Sequence, residues 1–370
     1  MAHIFKHPTY SSKGIIVFTH KEIQYFSTFW KETRYDLINR LLGLFISRKN
    51  LKRHFKKHFN EIRKKYWLGI HFGYFHCNYP TLPYVDFYMS GPGTVTYEDQ
   101  VFHIPLCSRN FTPDYFYHGD DLDRKWDLLC VTTAFKPKNS KEFLHVSRQL
   151  LNTNPDLKIL LIITGKKNEK KSRFDTSLVD DYFSLFSFDE RKKFVLLKTS
   201  SELGMMGMEQ SFVADFFRRA KVFTLFSLKE GESRVIAEAL LSGCKIVVSK
   251  HLVGGGRDYL DNDNSNQFND FGVASNTILK AIINFRKTDL SERLNELRES
   301  YSVNTLHHCF KEFYLSKGST YDQKLINTDN LAKRLPAHFQ DVPWNRGRMN
   351  TADIMTKRQF KIFRNNLKLM

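Results

Sequence analysis

The stretch from residue 220 to residue 257, AKVFTLFSLKEGESRVIAEALLSGCKIVVSKHLVGGGR, decides the fold. Residues 222–226 are a short β-rich run, residues 233–241 form an unbroken helix-forming run stopped at Gly243, and Ile246-Val247-Val248 is a second buried strand. Two apolar strands around one short helix make a βαβ unit, whose right-handed crossover requires a parallel sheet. Ligands in such sheets gather at the carboxyl ends of the strands. The loop after the first strand, Ser227-Leu228-Lys229-Glu230-Gly231-Glu232-Ser233, is therefore the expected ligand loop.

Its residues have a definite chemistry. Glu230 stands in the loop, Gly231 lets the backbone approach a ligand, and the amides of Glu232, Ser233 and Arg234 open the helix toward a hydroxyl-rich or anionic group. Glu238 follows eight residues after Glu230, about two helical turns along. Two carboxylates separated by a glycine loop suit bidentate grips on vicinal diols. An equally simple local reading pairs Glu238 with Arg234 one turn back and leaves Glu230 solvated.

The pattern Ser227-x-x-Glu230-Gly231-x-Ser233-Arg234-Val235-x-x-Glu238-Ala239-Leu240-x-x-Gly243 resembles the E-x7-E region of retaining, nucleotide-sugar-dependent glycosyltransferases with the GT-B fold, family 4 in particular. The likeness extends over residues 126–259. It implies an α/β protein of two Rossmann-like, doubly wound domains with the donor cleft between them, the N-terminal one reduced. It also implies that Glu230 contacts the donor sugar, that Gly231, Glu232 and Ser233 hold sugar or phosphate, and that Glu238 binds the ribose.

Upstream, residues 128–135 read as a strand, and Lys136-Pro137-Lys138-Asn139-Ser140 opens the next helix. The family places an Arg at the end of this strand and a Lys about five residues later, both on the donor diphosphate. By resemblance Lys138 takes the Lys role, catalytic with Glu230; the Arg position is unfilled, and Lys136 is the nearest substitute. A lysine at a helix N-terminus suits a diphosphate, which gains a point charge and free amides together. Residues 159–164 form a very apolar strand ending at Gly165, the expected point of close backbone approach to the nucleotide. Residues 194–197 lead into Lys198, by resemblance near the base. Helix 209–219 delivers the chain to the ligand loop, and Gly254-Gly255-Gly256-Arg257 beyond it reads either as the glycine pair the family keeps beside the donor or as a plain loop. Asp261-Asn262-Asp263 mimics a metal-binding D-x-D but sits in a polar turn and reads as solvated. No metal and no cofactor beyond a UDP- or GDP-sugar donor is expected.

Toward the N-terminus, residues 14–20 read as a buried strand, and a helical pattern spans residues 35–66. In its second half Leu51, Phe55, Phe59, Ile62 and Tyr66 recur at helical spacing among Lys49, Lys52, Arg53, Lys56, Lys57, Arg63, Lys64 and Lys65. Such a helix can lie on an anionic membrane, but its aromatic stripe fits a domain core better. Residues 67–72, 85–89 and 101–105 are further strands. His20, His71 and His76 are acceptor-side candidates near the reacting sugar. The sequence divides into a first domain over 1–117, a linker over 118–125, a nucleotide-sugar domain over 126–319 and a basic segment over 320–370. That last segment either packs back on the first domain, using Trp344, Ile354, Phe360, Ile362 and Phe363, or forms a loosely held tail.

Composition bounds the partners. At 370 residues and 41% hydrophobic content the chain can build two cores. No run approaches the ~20 apolar residues of a membrane span, and the N-terminus lacks a signal-peptide core, so a cytoplasmic enzyme is expected, peripheral on the inner face of a membrane if the basic helix binds lipid. The five cysteines show no metal-ligand spacing and read as reduced thiols. A net charge of +18 exceeds what a nucleotide-sugar requires and implies a larger acidic partner, such as an anionic glycan or glycolipid acceptor. The implied reaction is metal-independent sugar transfer with retention. The rivals are a basic nucleic-acid-binding protein, which would not explain the Glu-Gly-x-Ser-Arg-x3-Glu spacing, and an inactive glycan-binding relative.

Overall fold

In the computed structural model the chain is described over residues 3–19, 60–71, 85–91, 101–117, 122–133, 136–164, 177–198, 208–287, 291–322, 324–329 and 331–335. It divides into two compact α/β units. Thr112–Tyr301 forms a central unit, and Met1–Phe111 with Ser302–Met370 forms a terminal unit built from both ends of the chain.

The terminal unit holds a five-stranded sheet of β1 (His3–Lys6), β2 (Gly14–Thr19), β3 (Tyr66–His71), β4 (Phe87–Met89) and β5 (Phe102–Ile104), lying side by side in chain order. β1 runs antiparallel to β2, and the other neighbours are parallel. Glycine is required at Gly14, where a Cβ would fall 2.4 Å from the Lys6 carbonyl oxygen and 2.5 Å from the Tyr66 ring. The helix Glu299–Ser316 buries Leu306, Phe310 and Phe313, spaced four and three residues apart, against this sheet. Phe87 lies 5.6 Å from Phe310 and 5.1 Å from Phe313 between ring centroids. Leu331 and Leu335 join the same core.

The sequence-based division places residues 302–319 with the nucleotide-sugar domain, whereas here they pack with the N-terminal strands because the helix's aromatic stripe finds its apolar partner there. Residues 60–65 are helical, and Ile62 and Tyr66 are fully buried, so the C-terminal end of the apolar stripe serves the core. The remainder of the basic helix, and Trp344, Ile354, Phe360, Ile362 and Phe363, lie outside the described residues. Among the described residues no helix is long and apolar enough to cross a membrane.

The central unit contains a fully parallel six-stranded sheet. Its strands are β6 (Trp126–Thr133), β7 (Ile159–Thr164), β8 (Phe194–Lys198), β9 (Ala220–Leu225), β11 (Lys245–Ser249) and β13 (Ser265–Phe268). β10 (Lys229–Glu232) and β12 (Val253–Gly255) form a separate parallel ribbon. The spatial order β13-β11-β9-β6-β7-β8 means that the chain starts in the middle, winds outward to one edge, returns, and winds to the other. The switch point falls between β6 and β9.

Successive residues feed opposite faces: Leu129, Leu160, Phe223 and Ile246 enter one core, and Leu128, Leu161, Val222 and Val247 the other. Burial on both faces explains the near-continuous apolar strands in the sequence. The unit begins at Thr112 rather than residue 126, because Phe116 is wholly buried in the first of these cores. Thr112 also donates its amide to the Leu297 carbonyl at 3.0 Å and accepts from the Glu299 amide at 2.8 Å, so the chain enters and leaves the unit side by side.

Candidate functional site

The two loops at the carboxyl ends of β6 and β9 flank the switch point. After β6 the chain makes a tight turn at Lys136–Lys138 and starts the helix Ser140–Thr153. Asn139 between them adopts a left-handed φ of 51°, a conformation asparagine tolerates, and its amide donates to the Phe226 carbonyl at 3.0 Å. That bond ties the β6 loop to the β9 loop. Phe226 is itself buried, 5.5 Å from the Phe143 ring and 5.4 Å from the Phe271 ring.

This tie brings Lys138 and Glu230 together. The Lys138 ammonium donates to both carboxylate oxygens of Glu230, at 2.5 and 2.6 Å. The Glu230 side chain is 10% exposed, so its charge is compensated where water is scarce. Glu230 is therefore not a solvated loop charge. Nor is its segment an open loop: Lys229 pairs with Val253 and Glu232 with Gly255 in the β10–β12 ribbon. The Val253 amide donates to the Leu228 carbonyl at 2.9 Å, and the Ser233 amide to the Gly255 carbonyl at 3.2 Å. The expectation of a free Ser233 amide is thus corrected, because the glycine run supplies the carbonyl that uses it. Gly231 and Glu232 belong to the ribbon's backbone.

The glycines 254–256 are accordingly structural partners of the ligand loop. Gly256 has φ of +100°, and a Cβ there would stand 3.2 Å from the Ile236 Cδ1.

Glu238 lies on the helix Arg234–Leu241 and is 97% withdrawn from solvent, its relative exposure being 3%. The Gln210 side-chain amide donates to its Oε1 at 3.3 Å. Gln210 opens the helix Gln210–Arg218, and no sequence signal marks it beyond its place at the start of that helix. Tyr115 stands in the field of Glu238: burial, then the carboxylates of Glu238, Glu299 and Glu209, push its hydroxyl up to about 12, against the opposing Arg234 charge. Ser227 and Ser233 have buried hydroxyls with no hydrogen-bond partner among the described residues. Buried polar atoms of this kind are the ones a hydroxylated ligand can satisfy.

Other candidates fall elsewhere. Lys198 is exposed at the end of the edge strand β8, two strands from β6 or roughly 10 Å across the sheet, and is not brought to the Lys138–Glu230 pair. Lys136 lies in the turn beside Lys138. Gly165, His20 and His76 lie outside the described residues. His71 is fully buried and its Nε2 accepts the Ser108 amide at 3.1 Å, a packing role. Asp261 closes the turn into β13, its Oδ1 accepting the amides of Asp263 at 3.0 Å and Asn264 at 2.9 Å. Among the described residues no three His, Cys, Asp or Glu side chains are placed to hold a metal ion. Cys107, Cys130, Cys244 and Cys309 are buried and outside any disulfide; Cys77 lies outside the described residues.

No protein-family model matches the chain, and no curated protein matches it by sequence. Among solved structures it is similar to the pneumococcal O-GlcNAc transferase GtfA in complex with UDP and GlcNAc, at 12% identity and a TM-score of 0.46, over 68% of this chain and 53% of that one. It is similar to S. aureus TarM at 12% identity and a TM-score of 0.44, over 71% and 52%. The α,α-trehalose 6-phosphate synthase from Burkholderia multivorans matches at 12% identity and a TM-score of 0.48, over 85% and 89%. The chain spans about half the length of GtfA and TarM.

Proposed function

We propose that this chain is a retaining, metal-independent glycosyltransferase of the GT-B type, resembling family 4, that moves a sugar from a UDP- or GDP-sugar to an acceptor hydroxyl of a glycan or glycolipid. The observation that carries the reading is the Lys138–Glu230 pair at the switch point of a doubly wound sheet. Glu238, buried eight residues along on the following helix, supports it.

In the free protein the two charges neutralise each other. An arriving diphosphate would draw the Lys138 ammonium, while the donor sugar's hydroxyls would replace it at the Glu230 carboxylate. Glu238, held by Gln210, would accept from the ribose hydroxyls. In the transfer the bond from anomeric carbon to phosphate oxygen breaks, and the acceptor oxygen bonds to that carbon on the same face. The acceptor proton passes to the departing phosphate oxygen. Lys138 stabilises the charge that grows on the leaving diphosphate, an effect worth about 3–4 kcal/mol for one well-placed donor. No protein nucleophile is required.

Thermal-shift and donor-hydrolysis measurements across UDP-, GDP- and ADP-sugars, with EDTA present, test this reading. One nucleotide class should stabilise the protein, by about 2.7 kcal/mol at a hundredfold excess over Kd. Glu238→Ala should abolish that stabilisation. Absence of any nucleotide response, with salt-sensitive binding to nucleic acid instead, would refute it.

A further inference from the structure

Gln210 carries a polar atom that the proposed reaction leaves unused. It is the first residue of the helix Gln210–Arg218 and is 4% exposed. That helix delivers the chain to β9, so it starts at the carboxyl edge of the central sheet, the edge that also bears the Lys138 and Glu230 loops. Val213, Ala214 and Phe217, three, four and seven residues on, share a core with Ile236, Ala237 and Leu240 of the helix Arg234–Leu241. The two helices therefore pack on one face of the sheet, and Gln210 meets Glu238 across that contact.

This meeting fixes which way the amide faces. A carboxylate only accepts, so Gln210 turns its Nε2 toward Glu238, 3.3 Å from Oε1. The amide oxygen of Gln210, on the same carbon, is buried and has no hydrogen-bond partner among the described residues. The start of the helix does not use it: the amides of Phe212 and Val213 both donate to the Glu209 carbonyl, at 3.1 and 3.3 Å. Buried acceptors are unfavourable without a donor, and in native proteins they take a water or a ligand. The Ser227 and Ser233 hydroxyls rotate to donate or accept, whereas the Gln210 oxygen only accepts, so the group that satisfies it is a donor.

Glu238 and the Gln210 oxygen are thus two acceptors set apart by a single amide group. A vicinal diol offers two donors on adjacent carbons, one for each. Resting on the donor-site reading, we propose that Gln210 is a specificity-determining residue: Glu238 accepts from one ribose hydroxyl, the Gln210 oxygen accepts from the other, and the site selects ribonucleoside diphosphate sugars over deoxyribose counterparts. A deoxy donor leaves one of the two acceptors buried and unpaired, which is the strongest form of discrimination a polar pocket has.

The test measures binding of UDP and GDP to the full chain by titration calorimetry, then of the 2′-deoxy and 3′-deoxy forms of whichever binds. Each deoxy form should bind at least ~10-fold more weakly, the scale of one lost hydrogen bond in a dry site. Gln210→Met, which fills similar space without an acceptor, should bring one deoxy form to parity with the parent nucleotide and leave the penalty on the other. Gln210→Glu is the rescue, because a protonated carboxyl there reproduces the amide, donating to Glu238 and accepting from the ribose. Two carboxyls sharing one site raise a pKa, so in that variant discrimination should be present at acid pH and vanish as pH rises through the raised value, a reversible change that misfolding cannot produce. Three outcomes would overturn the role of Gln210 while nucleotide binding upholds the donor site. They are deoxy forms that bind the wild type as tightly as the parent, equal loss of both penalties in Gln210→Met, which would make Gln210 only a prop for Glu238, and penalties that Gln210→Met leaves unchanged. Failure of both UDP and GDP to bind would remove the donor site itself and the role of Gln210 with it.

Discussion

The central unit, with 29 cations against 27 anions, is nearly neutral, and the terminal unit, with 28 against 12, is strongly basic. Their sheets differ as well. The central sheet reverses its winding between β6 and β9, while the described strands of the terminal sheet run β1 to β5 in order. Reversal leaves two carboxyl-end loops diverging from adjacent strands, and a crevice opens between them. Paired, half-buried charges such as Lys138 and Glu230 can then be placed there without any net charge. A surplus of one sign speaks instead for a partner that is itself charged and extended. Placement and surplus are therefore separate signals, and each unit of this chain carries one of them.

The sharpest way to break that division is to remove one cation from each unit. On the proposed reading, Lys138→Met should lower turnover by about 10²–10³-fold by removing the cation assigned to the leaving diphosphate. It should also destabilise the protein by about 3–5 kcal/mol, because the Glu230 carboxylate would lose its partner in a poorly hydrated place. Lys64→Gln removes the same formal charge from an exposed site on the terminal unit and should leave donor turnover within twofold. Steady-state donor hydrolysis by both variants decides the matter; a similar loss in each would mean that bulk charge, not placement, supports the reaction.

Much of the central unit was legible in the sequence. Residues 222–226, 233–241 and 246–248 correspond to β9, the helix Arg234–Leu241 and β11, since strands buried on both faces leave continuous apolar runs. The proximity of Lys138 and Glu230, 92 residues apart, followed only from the family resemblance, and it depends on Asn139 bonding to Phe226, which no local pattern encodes. β13 escaped notice because Ser265-Asn266-Gln267-Phe268 is mostly polar at a sheet edge. β10 and β12 escaped because a glycine-rich ribbon has no side-chain alternation to read. In the terminal unit the helix Glu299–Ser316 lies within residues 126–319, which the sequence assigns to the nucleotide-sugar domain, since an apolar stripe does not name its partner.

A smaller effect should follow from the ribbon. Gly256→Ala must hold a side chain at φ of +100°, 3.2 Å from the Ile236 Cδ1, at a cost of about 1–3 kcal/mol. On the proposed reading the ribbon positions Glu230, so donor affinity should fall with stability, whereas amide protection in the helix Glu299–Ser316 of the terminal unit should not change. A nucleotide titration beside amide exchange separates the effects. A loss of both would show that the two units share the consequences of a strain the comparison confines to one.

The smallest effect belongs to the terminal unit. His307 packs with its Nδ1 at 2.9 Å from the Tyr321 hydroxyl, and burial holds its pKa below the ordinary histidine value. Tyr321 stays uncharged, its own hydroxyl pushed well up by burial and by Asp322. The unfolded chain therefore takes up the His307 proton at a higher pH than the folded one. Stability is fully present above about pH 6.5 and is lost as pH falls through the folded-state value, with a slope of at most about 1.4 kcal/mol per pH unit for one proton. Amide protection relative to the intrinsic exchange rate, followed between pH 7.5 and 5.5, should fall in the helix Glu299–Ser316 before it does in the helix Arg234–Leu241. His307→Gln, which keeps a hydrogen-bonding group toward Tyr321 but cannot titrate, should remove the difference. If the acid response persists in that variant, it comes from groups shared by both units, and the contrast between them does not extend to their behaviour in acid.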